Sequence, residues 1–386
     1  MMKQLFISLL VAFAMVSHAE DMIPSPPQIE ASAYILVDAA SGAVLAEHNA
    51  DVQLPPASLT KMMTAYVLAA EMSAGRIGKD DMVVVSENAW SQNPIFAGSS
   101  LMWIEPGKDV RVEDLERGIV ISSGNDATVA IAEHVAGSEE VFAEMMNTQA
   151  AALGMKDSWF VNSHGLPDPN HLVTARDLAT LAKAIITRFP EHYAMYKEPE
   201  FTYNNIKQYN RNSLLGEDSS VDGLKTGHTA EAGYCLVASA ERRGMRLITV
   251  VMGTKSTKAR KNETRSLLNY GFRFYESVKV FAANQELEKP RVWKGQQDLV
   301  PVGLIDATVL TLPRGKSKNL VTTVELTPQL EAPLAVGDPV GTLKLSIGDE
   351  IVFESPVVAL EAVEEAGFFA RLWDSIVMWI TGLFAT

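Results

Sequence analysis

Apolar and polar positions change their spacing several times along the chain, and each change marks an element. Ala33 to Val37 has strand character, Asp38-Ala39-Ala40-Ser41-Gly42 supplies turn residues, and Ala43 to His48 reads as the returning strand of a hairpin. After Pro55-Pro56 the spacing becomes helical: Met62, Met63, Tyr66, Val67 and Ala70 recur on one face, which predicts a long core-facing helix. Similar patterns predict helices over Val110 to Ile121, Asp126 to Ala136, Ser138 to Leu153 and Thr174 to Arg188. Val221 to Thr226 returns to strand. Tyr234 to Ala240 and Met245 to Met252 are apolar runs joined by Glu241-Arg242-Arg243-Gly244, a hairpin pattern, and Arg260 to Glu276 is helical again. Strands early, helices in the middle and antiparallel strands late predict an α+β domain whose first and last parts share one sheet.

The pattern shifts again near Gln285 to Pro290. From there to about Glu361 Val, Leu and Thr dominate, and turn residues recur at Pro313-Arg314-Gly315, Val336-Gly337-Asp338-Pro339 and Ile347-Gly348-Asp349, which predicts a small all-β domain. No catalytic constellation is visible in it, so a spacer or interaction module is the better reading. In the last segment Phe368, Phe369, Leu372, Ile376, Trp379, Ile380 and Leu383 share a broad helical face, with Arg371, Asp374, Ser375 and Gly382 mostly opposite. This reads as an amphipathic helix lying in a bilayer surface. A helix packed on its own protein, a pairing helix in a homodimer and a transmembrane span are the competing uses, and Arg371 and Asp374 make a span costly. At the other end, Lys3, the apolar run Leu5 to Val16 and Ser17-His18-Ala19 form a secretory signal pattern. The expected organisation is a signal peptide at 1–19, a catalytic domain at 30–284, a small β-sandwich at 287–361 and an anchor helix at 366–386.

Composition narrows the function classes. A formal net charge of −14 argues against a general nucleic-acid binder, which needs a basic footprint. The single cysteine, Cys235, lies in the apolar run Tyr234-Cys235-Leu236-Val237 and reads as a buried thiol; no intramolecular disulfide or Cys-rich zinc site can form. His-Glu-x-x-His is missing, as is the Gly-x-Ser-x-Gly elbow of α/β-hydrolases, so no metal or cofactor is expected and a Ser-His-Asp triad is disfavoured. His48, His134, His164, His171 and His192 receive no catalytic role.

Three short motifs carry chemistry instead. Ser58-Leu59-Thr60-Lys61 follows Pro55-Pro56-Ala57, so Ser58 should open a helix with Lys61 one turn later on the same face. A serine hydroxyl is a weak nucleophile that needs a base, and a lysine can be that base when burial lowers its pKa. The helix N-terminus also offers N–H groups and positive potential to an oxyanion. Alone, the pattern reads as a serine cap followed by a solvated lysine, but it occurs once in the chain. Ser123-Gly124-Asn125 sits between two helical patterns, where a hydroxyl can relay a proton and an amide can hold a substrate carbonyl; its bland reading is a turn followed by an Asp126 cap. Lys225-Thr226-Gly227 ends a strand, where a cation and a hydroxyl can bind a carboxylate, the glycine admits a close backbone, and the N–H of His228 can serve as a second oxyanion donor.

The three motifs in this order resemble the serine penicillin-recognising enzymes. Pro-x-Ser-Leu-Thr-Lys-Met-Met-Thr around Ser58, Ser-Gly-Asn-Asp-Ala at 123–127 and Asp-Gly-Leu-Lys-Thr-Gly-His-Thr at 222–229 look like the low-molecular-mass D-alanyl-D-alanine carboxypeptidases. So do Asn93-Pro94, Gly98-Ser99-Ser100 and Asn162-Ser163-His164-Gly165-Leu166, and the resemblance covers the whole chain. It implies a penicillin-binding fold, an antiparallel sheet flanked by helices with a helical subdomain, followed by the small β domain and the amphipathic helix. It implies Ser58 as the acylated nucleophile, Lys61 as its base, Ser123 and Asn125 in proton relay and substrate positioning, and Lys225 beside Ser123. Thr226 and Arg260 would hold the terminal carboxylate, and the N–H groups of Ser58 and His228 would form the oxyanion hole next to Gly227. Without the resemblance Arg260 would read as a solvated surface charge. The implied partners are the peptidoglycan stem peptide, β-lactam antibiotics and the periplasmic face of a bacterial cytoplasmic membrane. A β-lactamase is the first rival, but no Glu-x-x-Leu-Asn stretch lies between 125 and 225 to supply a deacylating glutamate. A DD-endopeptidase is the closer rival. A catalytically dead wall-binding protein is opposed by the complete motif set.

Overall fold

The computed structural model describes residues 23–383. The expected signal peptide lies outside the described residues. The central sheet has five antiparallel strands in the order β2-β1-β9-β8-β7. Strands β1 (Ala33–Asp38) and β2 (Val44–His48) come from the start of the domain; β7 (Val221–Thr229), β8 (Gly233–Arg242) and β9 (Met245–Thr254) come from its end. Strand β1 pairs with β9, Ile35 opposite Val250 and Leu36 opposite Thr249, so the first and last parts share one sheet as expected. Its strands read as continuous apolar runs because both faces are covered. Ile35, Val237 and Val250 point into the core under the helical region, while Leu36, Leu236 and Val251 pack toward α7 (Thr257–Phe274). Arg243 (φ 54°) and Gly244 (φ 78°) form the two-residue turn between β8 and β9, both left-handed, as the twist of a tight hairpin requires.

Between the two halves of the sheet lie short strands β3 (Met82–Val84), β4 (Asp109–Arg111), β5 (Glu200–Tyr203) and β6 (Ile206–Tyr209), and helices α1 (Lys61–Ser73), α2 (Val112–Arg117), α3 (Asn125–Ala136), α4 (Glu139–Ala152), α5 (Ala175–Arg188) and α6 (Pro190–Ala194). Two expected helices have other bounds in the structure. The span from Val110 to Ile121 is divided: residues 109–111 pair with β3, α2 follows, and Gly118–Ser122 widens into one π-helical turn before Ser123. The helix expected over Arg260 to Glu276 is shifted. Ser256 caps it by accepting the N–H of Ala259, and it ends at Phe274 because Tyr275 and Glu276 pair with Pro313 and Leu312. The β5–β6 hairpin had no sequence expectation.

The remaining strands form the all-β part. They are β10 (Tyr275–Phe281), β11 (Gln285–Glu288), β12 (Val292–Trp293), β13 (Val302–Leu304), β14 (Thr308–Pro313), β15 (Leu320–Leu326), β16 (Leu330–Glu331), β17 (Pro339–Ile347) and β18 (Glu350–Ala359). A five-stranded sheet in the order β11-β13-β18-β17-β15 faces the β10–β14 pair across a separate core that includes Val302, Leu310, Leu343 and Val357. The buried carboxylate of Asp38 at the end of β1 accepts hydrogen bonds from Ser277 and, at 2.8 Å, from Thr311, and so ties the two domains together. Helix α8 (Phe368–Leu383) touches the β domain through its polar side, where Asp374 accepts the N–H of Lys294 at 2.6 Å and lies 3.6 Å from Arg291. Phe369, Trp373 and Trp379 remain 83%, 67% and 68% exposed. Among the described residues no helix is long and apolar enough to cross a membrane.

Candidate active site

A 3-10 turn, Ala57–Thr60, leads into α1 and carries Ser58. Ala57 has φ +48°, a left-handed conformation costly for a residue with a Cβ. Two glycines let neighbouring backbone close on this turn. A Cβ at Gly165 would stand 1.9 Å from the carbonyl oxygen of Ala57, and one at Gly227 would stand 2.9 Å from that of Pro56. Any side chain at either position would displace the turn that carries Ser58.

Lys61, one turn after Ser58, is wholly buried. Its Nζ lies 3.1 Å from Ser58 Oγ, 2.6 Å from Asn125 Oδ1 and 2.6 Å from the carbonyl oxygen of His164. The last two can only accept. A neutral amine has two N–H donors and one lone pair; with both donors engaged, the lone pair is left for the Ser58 hydroxyl. Burial pulls the Lys61 pKa down to about 7, against the more distant pull of Asp126 and Glu139 toward the charged form. The same burial drops His164 to about 3 and His171 to about 4, so both rings are neutral near pH 7.

Ser123 follows the π-helical turn with φ +65°, so the left-handed residue of the Ser-Gly-Asn turn is the serine and not the glycine. Gly124 is needed for proximity instead: a Cβ there would meet the backbone N of Met102 at 2.8 Å. Lys225 Nζ donates to Ser123 Oγ at 2.9 Å and to the carbonyl of Thr226 at 3.2 Å. Burial, then the charges of Lys61, Arg211 and Arg260, holds Lys225 well below the ordinary lysine pKa. Asn125 opens α3, and its amide donates to Ser99 Oγ at 2.9 Å while its backbone N–H donates to the carbonyl of Ser100. Asp126 does not cap a helix in the expected way. It is buried and accepts the N–H groups of Met102 and Trp103 at 2.8 Å and of Ile104 at 3.2 Å, fixing the loop that forms one wall of the site.

Thr226, Gly227 and His228 lie on β7, the edge strand of the sheet. The His228 ring lies against that of Tyr234 with centroids 3.9 Å apart. Arg260, on the first turns of α7, reaches the same end of the sheet: its guanidinium donates to the carbonyl of Gly227 at 3.1 Å and sits 5.7 Å from the centre of the Tyr234 ring. Ser58, Ser123, Asn125, Thr226, Gly227, His228 and Arg260 therefore line one cavity of about 270 Å³, with Lys61 and Lys225 buried beneath it. Cys235 lies on the next strand, its thiol pushed up to about 11 by burial. Sequence reasoning missed Arg211, which lines the cavity, and the carbonyl of His164, which orients Lys61. The first follows a hairpin without a sequence signal. The second acts through its backbone, which no side-chain motif can encode.

Comparison with known proteins shows the family. The family described as D-alanyl-D-alanine carboxypeptidase matches residues 20–256, and the C-terminal domain of penicillin-binding protein 5 matches residues 275–365. The D-alanyl-D-alanine carboxypeptidase DacC of Escherichia coli strain K12 is 47% identical over 372 residues, which cover 96% of this chain and 93% of that one. The crystal structure of penicillin binding protein 5 from Haemophilus influenzae, 42% identical, superimposes with a TM-score of 0.86 over 89% of this chain and all of that one. Penicillin-Binding Protein D2 from Listeria monocytogenes, solved in an ampicillin-bound form, is 31% identical, with a TM-score of 0.57 over 64% of this chain and all of that one. With Ser58, Ser123 and Arg260 converging on a cavity above two buried lysines, in the fold of these enzymes, the chain belongs to the D-alanyl-D-alanine carboxypeptidase family of serine peptidases.

Proposed function

We propose that the protein removes the terminal D-Ala from peptidoglycan stem pentapeptides through an acyl-enzyme on Ser58. The observation that carries this reading is the buried Lys61 amine, its pKa near 7 and its lone pair left for the Ser58 hydroxyl 3.1 Å away. Ser58 Oγ attacks the carbonyl carbon of the penultimate D-Ala as Lys61 takes the hydroxyl proton. The N–H groups of Ser58 and His228 stabilise the oxyanion. The C–N bond then breaks, and the proton passes by way of Ser123 to the departing amine of the terminal D-Ala. Lys225 supplies positive potential beside Ser123, and Asn125 holds the substrate backbone. Thr226 and Arg260 hold the free carboxylate, the group that marks a chain end. Water then attacks the ester, restoring Ser58 and releasing the shortened peptide. A β-lactam enters by the same attack, but its amine stays tethered after ring opening, and the acyl-enzyme hydrolyses slowly. The ampicillin-bound Listeria neighbour supports this use of the cavity.

The exposed apolar face of α8 supports a peripheral attachment to the periplasmic face of the cytoplasmic membrane, with the β domain as a spacer between bilayer and active site. The test of the whole reading is incubation of the purified protein with a D-Ala-D-Ala pentapeptide and with cross-linked stem dimers. Release of D-Ala from the pentapeptide is expected; cleavage of the dimers alone would make the protein an endopeptidase.

A further inference from the structure

A second trough, of about 370 Å³, adjoins the catalytic cavity and shares Ser99, Ser100 and Arg211 with it. Its walls are the loop through Trp103 and the strand β6. Trp103 has φ +72°, unusual for so bulky a residue, and is 45% exposed. That conformation is maintained by the buried Asp126, which follows Asn125 directly and accepts the N–H groups on both sides of Trp103 as well as its own. The opposite wall is fastened to the same loop: Gln208 of β6, itself buried, donates to the carbonyl of Met102 at 3.1 Å. Because side chains alternate along a strand, Lys207 and Tyr209 then face outward, and Tyr209 is 62% exposed. Two cations and no carboxylate line the trough, in a protein whose net charge is −14. Lys207 pairs with Glu200 outside it at 2.7 Å. Among the described residues Arg211 has no carboxylate within 4.0 Å.

We propose that this trough is a substrate subsite that receives the acidic N-terminal half of the stem peptide, the half that joins it to the glycan. The inference rests on the carboxypeptidase reading above. With the terminal carboxylate held at Thr226 and Arg260, the rest of the peptide must leave the catalytic cavity, and the trough continues that cavity past Ser99, Ser100 and Arg211. Its chemistry suits the occupant. Arg211 meets a carboxylate, Lys207 adds positive charge at the rim beside its Glu200 partner, and the faces of Trp103 and Tyr209 cover aliphatic stem atoms, which an exposed aromatic does at little entropic cost. The strained backbone at Trp103 is thereby given a use: it presents the indole to substrate from a loop anchored beside Asn125.

Three substrates test the proposal in full-length protein: a diacylated Lys-D-Ala-D-Ala tripeptide, which lacks the acidic half; the free stem pentapeptide; and that pentapeptide carrying its N-acetylmuramyl sugar. Trp103→Ala, Tyr209→Ala and Lys207→Glu should each lower kcat/KM for both pentapeptides by about tenfold, mainly through KM. The tripeptide rate and the rate of benzylpenicillin acylation should stay within about twofold. Should Trp103→Ala disturb its loop, Tyr209→Ala and Lys207→Glu, on an exposed hairpin, still decide the matter. Unchanged pentapeptide kinetics would overturn the subsite. So would equal losses on tripeptide and pentapeptide, which would make these residues structural, or a loss confined to the sugar-bearing substrate, which would make the occupant the glycan. Wild-type protein that released no D-Ala from any of the three would instead refute the carboxypeptidase reading, and the two failures are thus distinguishable.

Discussion

The amine of Lys61 stands 3.1 Å from the hydroxyl of Ser58, and its other two partners, Asn125 Oδ1 and the carbonyl of His164, can only accept. The arrangement suits a neutral lysine and gives acylation a pH dependence. Only the deprotonated amine can take the serine proton, and burial has brought its pKa to about 7. The rate of benzylpenicillin acylation should therefore rise with pH, pass half its maximum near pH 7 and level off above. A stopped-flow profile that is flat from pH 5 to 9 would show that Lys61 is not the titrating base.

Lys61→Arg tests the same group by chemistry. Arginine keeps a positive charge that cannot be removed near neutrality, so acylation should fall by orders of magnitude. Near-normal labelling by a fluorescent penicillin would mean that another group accepts the Ser58 proton.

The site of the covalent bond can be read directly. Intact mass and peptide mapping after incubation with penicillin should place one adduct on the peptide containing Ser58, and Ser58→Ala should abolish it without loss of fold. An adduct on Ser123, which already accepts from Lys225 at 2.9 Å, would reverse the assignment.

Arg260 stands where a chain-end carboxylate can be read. Loss of one charge-assisted hydrogen bond costs about 1.5–3 kcal/mol. Arg260→Ala should therefore lower kcat/KM on peptide acids by roughly ten- to hundredfold, and hardly affect the matching C-terminal amides. Equal losses on acid and amide would reduce Arg260 to its structural bond with Gly227.

The terminal helix makes its polar contacts with the β domain through Asp374 and leaves its apolar face open. Truncation before Gly367 should give a protein that still binds penicillin. The longer form should float with liposomes, and salt should release little of it, because Arg371 is the one basic residue of α8 and pairs with Glu365. Release by high salt would indicate an electrostatic attachment instead.

Much of this was legible in one dimension because its signals are local. Apolar runs marked β1, β8 and β9, helical spacing marked α1 and α5, and a motif such as Ser58-x-x-Lys61 needs only one helical turn to bring its members together. That Ser123 and Lys225 lie on one site could be inferred from motif order and family resemblance, although 102 residues separate them. What only the tertiary structure decided depends on contacts between distant backbones. The helix expected to reach Glu276 ends at Phe274 because Tyr275 and Glu276 find strand partners beyond residue 311. Asp126 reads as an ordinary helix cap until the loop from Met102 to Ile104 is seen folded onto it. The pKa of Lys61 likewise has no sequence signature. A lysine after a serine turn is ordinarily solvated, and here the desolvation that lowers its pKa comes from elements that the chain brings together only on folding.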